Sequence, residues 1–181
     1  MTDAHQISER SLEEQVQWLL DREAIRDVMH LYCRGVDRSD FDLIRQAYHE
    51  DAFDDHGNFE GDREAVVTKV SKNDSTAMMH HIGNMSIELD GDAAWVETYF
   101  VAHESREIDA KTYNSARGGR YLDRFEKRAG RWAVAKRQVV DDWAEMTEVV
   151  GRPAVGRNTG HRSPDRDPWY AFRSTEQGGG R

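Results

Sequence analysis

The first part of the chain places its apolar residues at helical spacing. From Ile25 they recur in steps of three and four as far as Val36, which predicts an amphipathic helix with one buried face. Upstream, the segment from Ser11 to Glu14 is typical of a capping box, so a helix could begin there. Gly35 weakens the last turn and places Asp37 at or just past the helix end.

Two shorter helices are predicted next. Ser39 or Asp40 can cap a second helix that runs through Tyr48. Residues 54–58 have the composition of a strand end and a turn. A third helix begins at Gly61-Asp62 and stops near residues 72–74.

After residue 78 the hydrophobic period changes from 3.6 to 2, which predicts strands. Four strands are expected at 79–89, 94–104, 120–127 and 131–142, with turns at 90–92 and 129–130. Residues 106–116 are polar and are predicted to form a loop, and Gly118-Gly119 is predicted to open the third strand. Helices followed by antiparallel strands favour an α+β fold in which the helices cover one sheet face.

The chain divides into three segments by composition. Residues 1–10 are predicted to be a flexible N-terminus, 11–147 the folded domain, and 148–181 an irregular tail rich in Gly, Pro, Arg, Asn and Ser. Within that tail, residues 168–172 could dock on the domain or on a neighbouring subunit.

Charge and cysteine content narrow the functional class. The 181 residues include 34 acidic and 25 basic side chains, a net charge of -9, which argues against nucleic-acid binding and against docking on an anionic membrane. No apolar run has transmembrane length, and residues 1–10 lack a signal-peptide core. The single cysteine, Cys33, excludes an internal disulfide and favours a cytoplasmic location.

One histidine and one carboxylate are the main candidates for chemistry. His80, Ile82, Asn84 and Ser86 share one face of the first long strand, which is either solvated or lines a polar pocket. If Asp37 met His80 there, the carboxylate would fix the imidazole tautomer and leave the other ring nitrogen free to take a proton.

Other polar residues admit two interpretations each. Tyr32 is either a core aromatic or a phenol that donates to a substrate oxygen. Arg137, among small apolar neighbours, either pairs with an acid or binds a substrate carbonyl or carboxylate. A metal site with two histidines and a carboxylate, drawn from residues such as His81 and His103, lacks the helical spacing that would support it, and no metal is assigned.

The order of several motifs resembles a known family. Tyr32 to Asp37, Tyr48 to Ala52, Met79 to Asn84, Gly118 to Phe125 and Gly130 to Trp132 resemble the SnoaL-like branch of the nuclear transport factor 2-like superfamily, over about residues 15–145. The resemblance implies a cone-shaped, curved, mostly antiparallel sheet with N-terminal helices enclosing a pocket, an arrangement described as an α+β barrel.

The dehydratase and dehydrochlorinase members of this family suggest roles for individual residues. Asp37 and His80 match their proton-abstracting pair, and Tyr32 matches a dehydratase tyrosine. Substrate contacts are then expected at a further set of residues: Arg137, His56, His103, Asn84, Tyr121, Phe53 and Ile82.

The resemblance implies a cofactor-independent lyase that eliminates a leaving group from a small apolar cyclic or aromatic substrate. The alternatives are an isomerase or cyclase, a deformylating lyase, and a non-catalytic module that binds a ligand or a subunit. A homotrimer is expected, with a dimer as the alternative and with Trp95 and Trp132 at the interface.

Overall fold

The computed structural model describes residues 10–150 and 158–178, with side chains described as far as residue 174. Apart from Arg10, the N-terminal segment predicted to be flexible lies outside these residues. The helices are α1 (Leu12–Arg38), α2 (Phe41–Ala47), α3 (Arg63–Ser71) and α4 (Pro168–Gly178). The strands are β1 (Tyr48–Asp55), β2 (Glu60–Gly61), β3 (Ala77–Asp90), β4 (Ala93–Ile108), β5 (Lys111–Arg128) and β6 (Arg131–Glu148).

The long helix α1 begins and ends as its sequence predicts. The Ser11 hydroxyl accepts a hydrogen bond from the Glu14 amide, and the Glu14 carboxylate accepts one from the Ser11 amide, which completes the capping box. Ser39 ends the helix in the left-handed conformation, with φ of 51°. Asp37 therefore lies in the last turn, on the buried side of the helix.

The six strands form one curved, unclosed sheet in the order β2-β1-β6-β5-β4-β3. All neighbours are antiparallel except β1 and β6, which run parallel, so the α+β prediction is confirmed for a mixed sheet. The second helix stops at Ala47 rather than continuing through Tyr48, because Tyr48 begins β1 and pairs with Val134. The buried face of α1 packs against this sheet.

The prediction of a loop at residues 106–116 is wrong. These residues extend β4 and β5 as a hairpin, which turns at Asp109 and Ala110 with φ of 50° and 60°. Its polar side chains pair across the strands, with Ser105 Oγ 2.5 Å from Asn114 Oδ1. Because much of this hairpin is exposed or half-exposed, it lacks the apolar alternation that identifies a strand.

The glycine pair at 118–119 lies inside β5 instead of opening it. The pairing register of β5 with β6 shifts between the two glycines. A Cβ at Gly119 would collide with the Val140 carbonyl oxygen, and one at Gly118 would collide with the Trp143 indole. The pair therefore marks a close backbone approach within a strand.

The tail contains regular structure, contrary to the expected irregular segment, because residues 168–178 form α4. The Tyr170 hydroxyl donates to Asp40 Oδ2 at 2.6 Å, so this segment docks on the domain.

Of the two tryptophans expected at an interface, Trp132 is buried and its indole donates to Asp21 Oδ1 at 2.7 Å. Trp132 belongs to the core, and only Trp95 is exposed. None of the helices in the described segments is both long enough and apolar enough to cross a membrane.

Candidate active site

A bulge in β3 determines which side chains face the helices. Between Ile82 and Met85 the register with β4 shifts by one residue, so Gly83 and Asn84 occupy a place that a single residue would fill. On one side of the bulge Met78, His80 and Ile82 are half-buried, and on the other Met85, Ile87 and Leu89 face the core. The expectation that Asn84 shares a face with His80 is therefore wrong, and Asn84 is exposed.

Asp37 and His80 meet as the sequence suggested. Asp37 Oδ1 lies 2.6 Å from His80 Nδ1, and Asp37 Oδ2 accepts the His80 backbone N–H at 3.0 Å. The carboxylate thus holds the ring at two points and favours the tautomer with its proton on Nδ1. His80 Nε2 has no hydrogen-bond partner within the described residues, and the His80 side chain is only 3% exposed.

A second histidine–carboxylate pair lies beside Tyr32. His56 Nδ1 contacts Asp54 Oδ1, and His56 Nε2 lies 3.3 Å from the Tyr32 hydroxyl. Burial raises the pKa of Tyr32 well above its usual value, which keeps the hydroxyl protonated at neutral pH. The Tyr32 ring also lies edge-on to the His80 ring, with 6.5 Å between centroids. Tyr32 therefore contacts both histidines.

These three rings border a cavity of about 590 Å³ between α1, α3 and the sheet. Pockets of roughly 300–1,000 Å³ are the usual size for small-molecule sites. The lining residues that are buried or half-buried include Val36, Phe59, Val66, Val70, Met78 and Ala102. The exposed ones at the opening include Lys69, Lys72, Asp74 and Glu145. Three half-buried charged residues also line the cavity, namely Glu104, Arg106 and Arg117. Its wall thus combines apolar and charged side chains, and further charged residues lie at its opening.

Arg137 does not line this cavity. It is completely buried, and its Nε and one terminal nitrogen each donate to Asp123 at 2.7 Å. The other terminal nitrogen donates to the Tyr48 hydroxyl at 3.1 Å, and the guanidinium carbon lies 4.2 Å from the ring centre of Tyr32 and 4.3 Å from that of Tyr121. Of the two sequence interpretations, the pairing with an acid is the one found.

Three further residues expected to contact a substrate lie outside the cavity lining, and a fourth lies only at its opening. Tyr121 is buried behind Tyr32, Ile82 packs in the core and Phe53 is exposed outside the cavity lining. His103 borders the opening, but it is exposed and its ring packs edge-on against His81 with 6.0 Å between centroids. In the described parts of the chain, no three His, Cys, Asp or Glu side chains group closely enough to hold a metal.

Sequence reasoning missed the role of Asp54 as the partner of His56. A signal was present, because residues two apart at the end of a strand project from the same face. It also missed Arg162, which donates to the Val36 carbonyl at the end of α1. No local pattern identifies that contact, since 126 residues separate the two groups.

Cys33 lies on α1 beside Tyr32 and is buried. Burial raises the pKa of its thiol to about 12, so it is uncharged at neutral pH. Cys33 therefore acts as a small packing residue and not as a thiolate.

Solved structures share this fold. A hexachlorocyclohexane dehydrochlorinase (LinA, type 2) is 17% identical, with a TM-score of 0.68 over 78% of this chain and 99% of that one. A protein of Novosphingobium aromaticivorans provisionally assigned as a scytalone dehydratase is 20% identical, with a TM-score of 0.63 over 78% of this chain and 97% of that one. A variant of a Mycobacterium tuberculosis protein of unknown function is 20% identical, with a TM-score of 0.60 over 70% of this chain and 74% of that one.

The neighbours thus include proteins named as a dehydratase or a dehydrochlorinase and a protein of unknown function, so they show a shared fold. None of the curated proteins compared with this sequence matches it significantly. The family model for the SnoaL-like domain matches residues 17–138, which is more than half of the chain and contains Tyr32, Asp37, His56 and His80. The chain therefore belongs to the SnoaL-like domain family, within the nuclear transport factor 2-like superfamily.

Proposed function

We propose that the protein is a cofactor-independent lyase that eliminates a leaving group from a small cyclic molecule. The observation that carries this proposal is the Asp37–His80 pair, whose imidazole borders the cavity with Nε2 unpartnered among the described residues. A histidine with both ring nitrogens hydrogen-bonded to the protein would have no free acceptor for a substrate proton. A positioned histidine of this kind typically contributes about 10²- to 10⁴-fold to a proton transfer.

In the proposed reaction, His80 Nε2 removes a proton from a substrate carbon. The C–H electron pair forms a carbon–carbon double bond, and the leaving group departs from the adjacent carbon with its own bonding pair. Asp37 stabilises the imidazolium that forms, since its carboxylate already accepts the Nδ1 proton. The shielded position of the His80 side chain favours this step by limiting access of bulk water.

The Tyr32, His56 and Asp54 side chains are proposed to assist the leaving group. Tyr32 gives its hydroxyl proton to a departing oxygen, and His56 replaces that proton through the 3.3 Å contact. A halide departs as the anion and only accepts a hydrogen bond from Tyr32. Asp54 stabilises the His56 cation, and Asp54 itself accepts a 2.5 Å hydrogen bond from the Tyr48 hydroxyl. Arg137 contacts Tyr48, which in turn contacts Asp54. Arg137 therefore acts as a positioning residue for the side chains that assist the leaving group, and not as a substrate ligand.

The cavity suggests the kind of substrate. The apolar part of its wall suits a ring system, and the charged residues of its wall and opening suit a polar substituent. The names of two structural neighbours refer to elimination reactions, namely dehydration of scytalone and dehydrochlorination of hexachlorocyclohexane. These compounds are therefore the first probes for this chain.

The test is to incubate the protein with scytalone or with hexachlorocyclohexane in D2O and follow the products by mass spectrometry. A library of cyclic β-hydroxy ketones and cyclic halides extends the search. His80→Ala is expected to lower the elimination rate by about 10²- to 10⁴-fold while leaving the circular dichroism spectrum unchanged. His81→Ala is the matched control, because His81 is the exposed neighbour on the same strand.

Two outcomes would contradict this proposal. Deuterium uptake at carbon without loss of a leaving group would identify an isomerase or cyclase that uses the same base. Elimination by the His80→Ala variant at the wild-type rate would remove His80 from the mechanism.

A further inference from the structure

The segment that follows the SnoaL-like domain contacts the end of α1 beside Asp37. Arg162 is central to this contact, because one terminal nitrogen of its guanidinium donates to the Val36 carbonyl at 3.2 Å. The other terminal nitrogen donates to Asn73 Oδ1 at 3.0 Å and to the Ser75 carbonyl at 3.2 Å. A single side chain thus ties the last turn of α1 to the loop that leads into β3.

The residues that Arg162 contacts lie just before each member of the Asp37–His80 pair in the chain. Val36 directly precedes Asp37, and Ser75 lies two residues before the start of β3, the strand that carries His80. The pair itself joins the same two elements, at 2.6 Å and 3.0 Å. Arg162 therefore forms a second link between α1 and the β3 segment, next to the first.

Three acidic side chains act on the partly buried guanidinium of Arg162. Asp37 on α1, Glu104 on β4 and Asp74 in the loop before β3 each favour the charged guanidinium and oppose the lowering of its pKa by burial. The carbonyl end of a helix is also the negative end of its dipole, where a cation is favourable. The position is thus suited to a permanent cation.

Separate contacts hold the rest of the segment on the domain. Arg38 Nε lies 3.0 Å from Asp167 Oδ2, and the Tyr170 hydroxyl donates to Asp40 at 2.6 Å. Asp167 is 5% exposed and also accepts hydrogen bonds from the backbone amides of His161 and Trp169. Because these contacts do not involve Arg162, docking of the segment and the action of Arg162 can be tested separately.

We propose that Arg162 is a positioning residue for the site, which holds Asp37 in register with His80 and so fixes the imidazole tautomer. The functional part of this inference rests on the proposed role of the Asp37–His80 pair. The match to the SnoaL-like domain ends at residue 138, so the site would depend on a segment outside that domain.

The experiment measures the His80 ring directly by NMR in the full-length protein labelled with ¹⁵N-histidine. His80→Gln assigns the resonances. The wild type is expected to show the Nδ1–H tautomer with a downfield proton resonance, and Arg162→Ala is expected to lose that resonance and give mixed tautomers.

Two control variants should keep the wild-type spectrum. Arg166→Ala removes the same charge from the same segment, at an exposed side chain without a hydrogen bond or ion pair in the described part of the chain. Tyr170→Phe loosens the segment at a different contact.

Three results would overturn the proposal. They are an unchanged His80 resonance in Arg162→Ala, loss of the resonance in Arg166→Ala, or an equal loss in Tyr170→Phe. If Arg162→Ala does not fold, Arg162→Lys decides, since one ammonium cannot reproduce the forked contacts and mixed tautomers are again expected. A wild-type spectrum in folded Arg162→Lys would contradict positioning. The spectrum does not depend on turnover, so this test can fail or succeed independently of the lyase proposal.

Discussion

Two acid–base pairs lie near the same helix and differ in what surrounds them. Asp37 and His80 border the cavity, and the second nitrogen of the imidazole remains free among the described residues. Asp123 and Arg137 have side chains that are 0% exposed, and the guanidinium is enclosed by Asp123, Tyr48 and the Met29 sulfur. The first pair has an unused polar atom facing a cavity, whereas the second is sealed.

This difference separates a chemical role from a structural one. A buried ion pair with its donors satisfied holds its neighbours in place, and removal of one partner leaves an uncompensated charge. A pair with one free nitrogen at a cavity can exchange a proton with a ligand. Residue type alone does not distinguish the two cases, since both pairs consist of a carboxylate and a basic side chain.

The largest expected effect is on activity at the open pair. Asp37→Asn should lower the elimination rate by about 10²- to 10⁴-fold, because the amide cannot stabilise the imidazolium. Asparagine keeps an oxygen for the His80 backbone N–H, so the fold should persist. Steady-state kinetics and thermal melting of the same sample check both statements. If Asp37→Asn loses activity only because it unfolds, the Asp37–His80 pair would have a structural role, as the Asp123–Arg137 pair has.

The next effect is on stability at the sealed pair. Arg137→Ala should lower the free energy of unfolding by about 3–5 kcal/mol, because it leaves Asp123 buried without its partner. Lys111→Ala is the control, since its pair with Glu148 is about half-exposed and should contribute less than about 1 kcal/mol. Urea denaturation measures both variants.

Cys33 gives an independent readout for the Arg137 variant. Its thiol, with a pKa raised by burial to about 12, should resist labelling by a disulfide reagent at pH 8 in the wild type. Faster labelling in Arg137→Ala would agree with loss of the sealed cluster. Wild-type stability and labelling in that variant would show that the pair does not hold the core together.

The smallest effect is expected at two exposed residues that the sequence placed in the site. His103 lies at the opening of the cavity, and Asn84 lies outside its lining. His103→Ala and Asn84→Ala should each change the elimination rate by no more than about twofold, since both side chains are exposed on the strands that border the cavity. The same kinetic assay tests them beside Asp37→Asn. A tenfold loss in the His103 variant would place the substrate against the cavity opening, and a tenfold loss in the Asn84 variant would mean that the site extends beyond the described lining.

Much of the local structure followed from periodicity and capping. The capping box at Ser11, the helical spacing of α1 and the turns at 90–92 and 129–130 each depend on neighbouring residues, so a single sequence reveals them. The hairpin at 106–116 was missed because its exposed polar strands are stabilised by cross-strand pairs and not by an apolar face. Helix α4 was missed because its surroundings have the composition of a loop.

The candidate site was only partly predictable, because its residues lie far apart in the chain and meet only when the elements pack together. Asp37 and His80 were identified through a family resemblance, and their meeting required α1 and β3 to pack together. The bulge at Gly83 and Asn84 then decided which β3 residues face inward, and it reversed the simple alternation. Arg137, predicted as a possible substrate ligand, became structural because Asp123 lies opposite it on the neighbouring strand.

The sequence by itself determined the first three helices, the central parts of the long strands and the presence of a carboxylate at the end of α1, because these depend on contacts within a few residues. Only the tertiary structure decided which polar groups have partners and which face a cavity. That outcome depends on groups far apart in the chain, such as Val36 and Arg162, whose contact is set by packing of the whole domain and not by any local pattern.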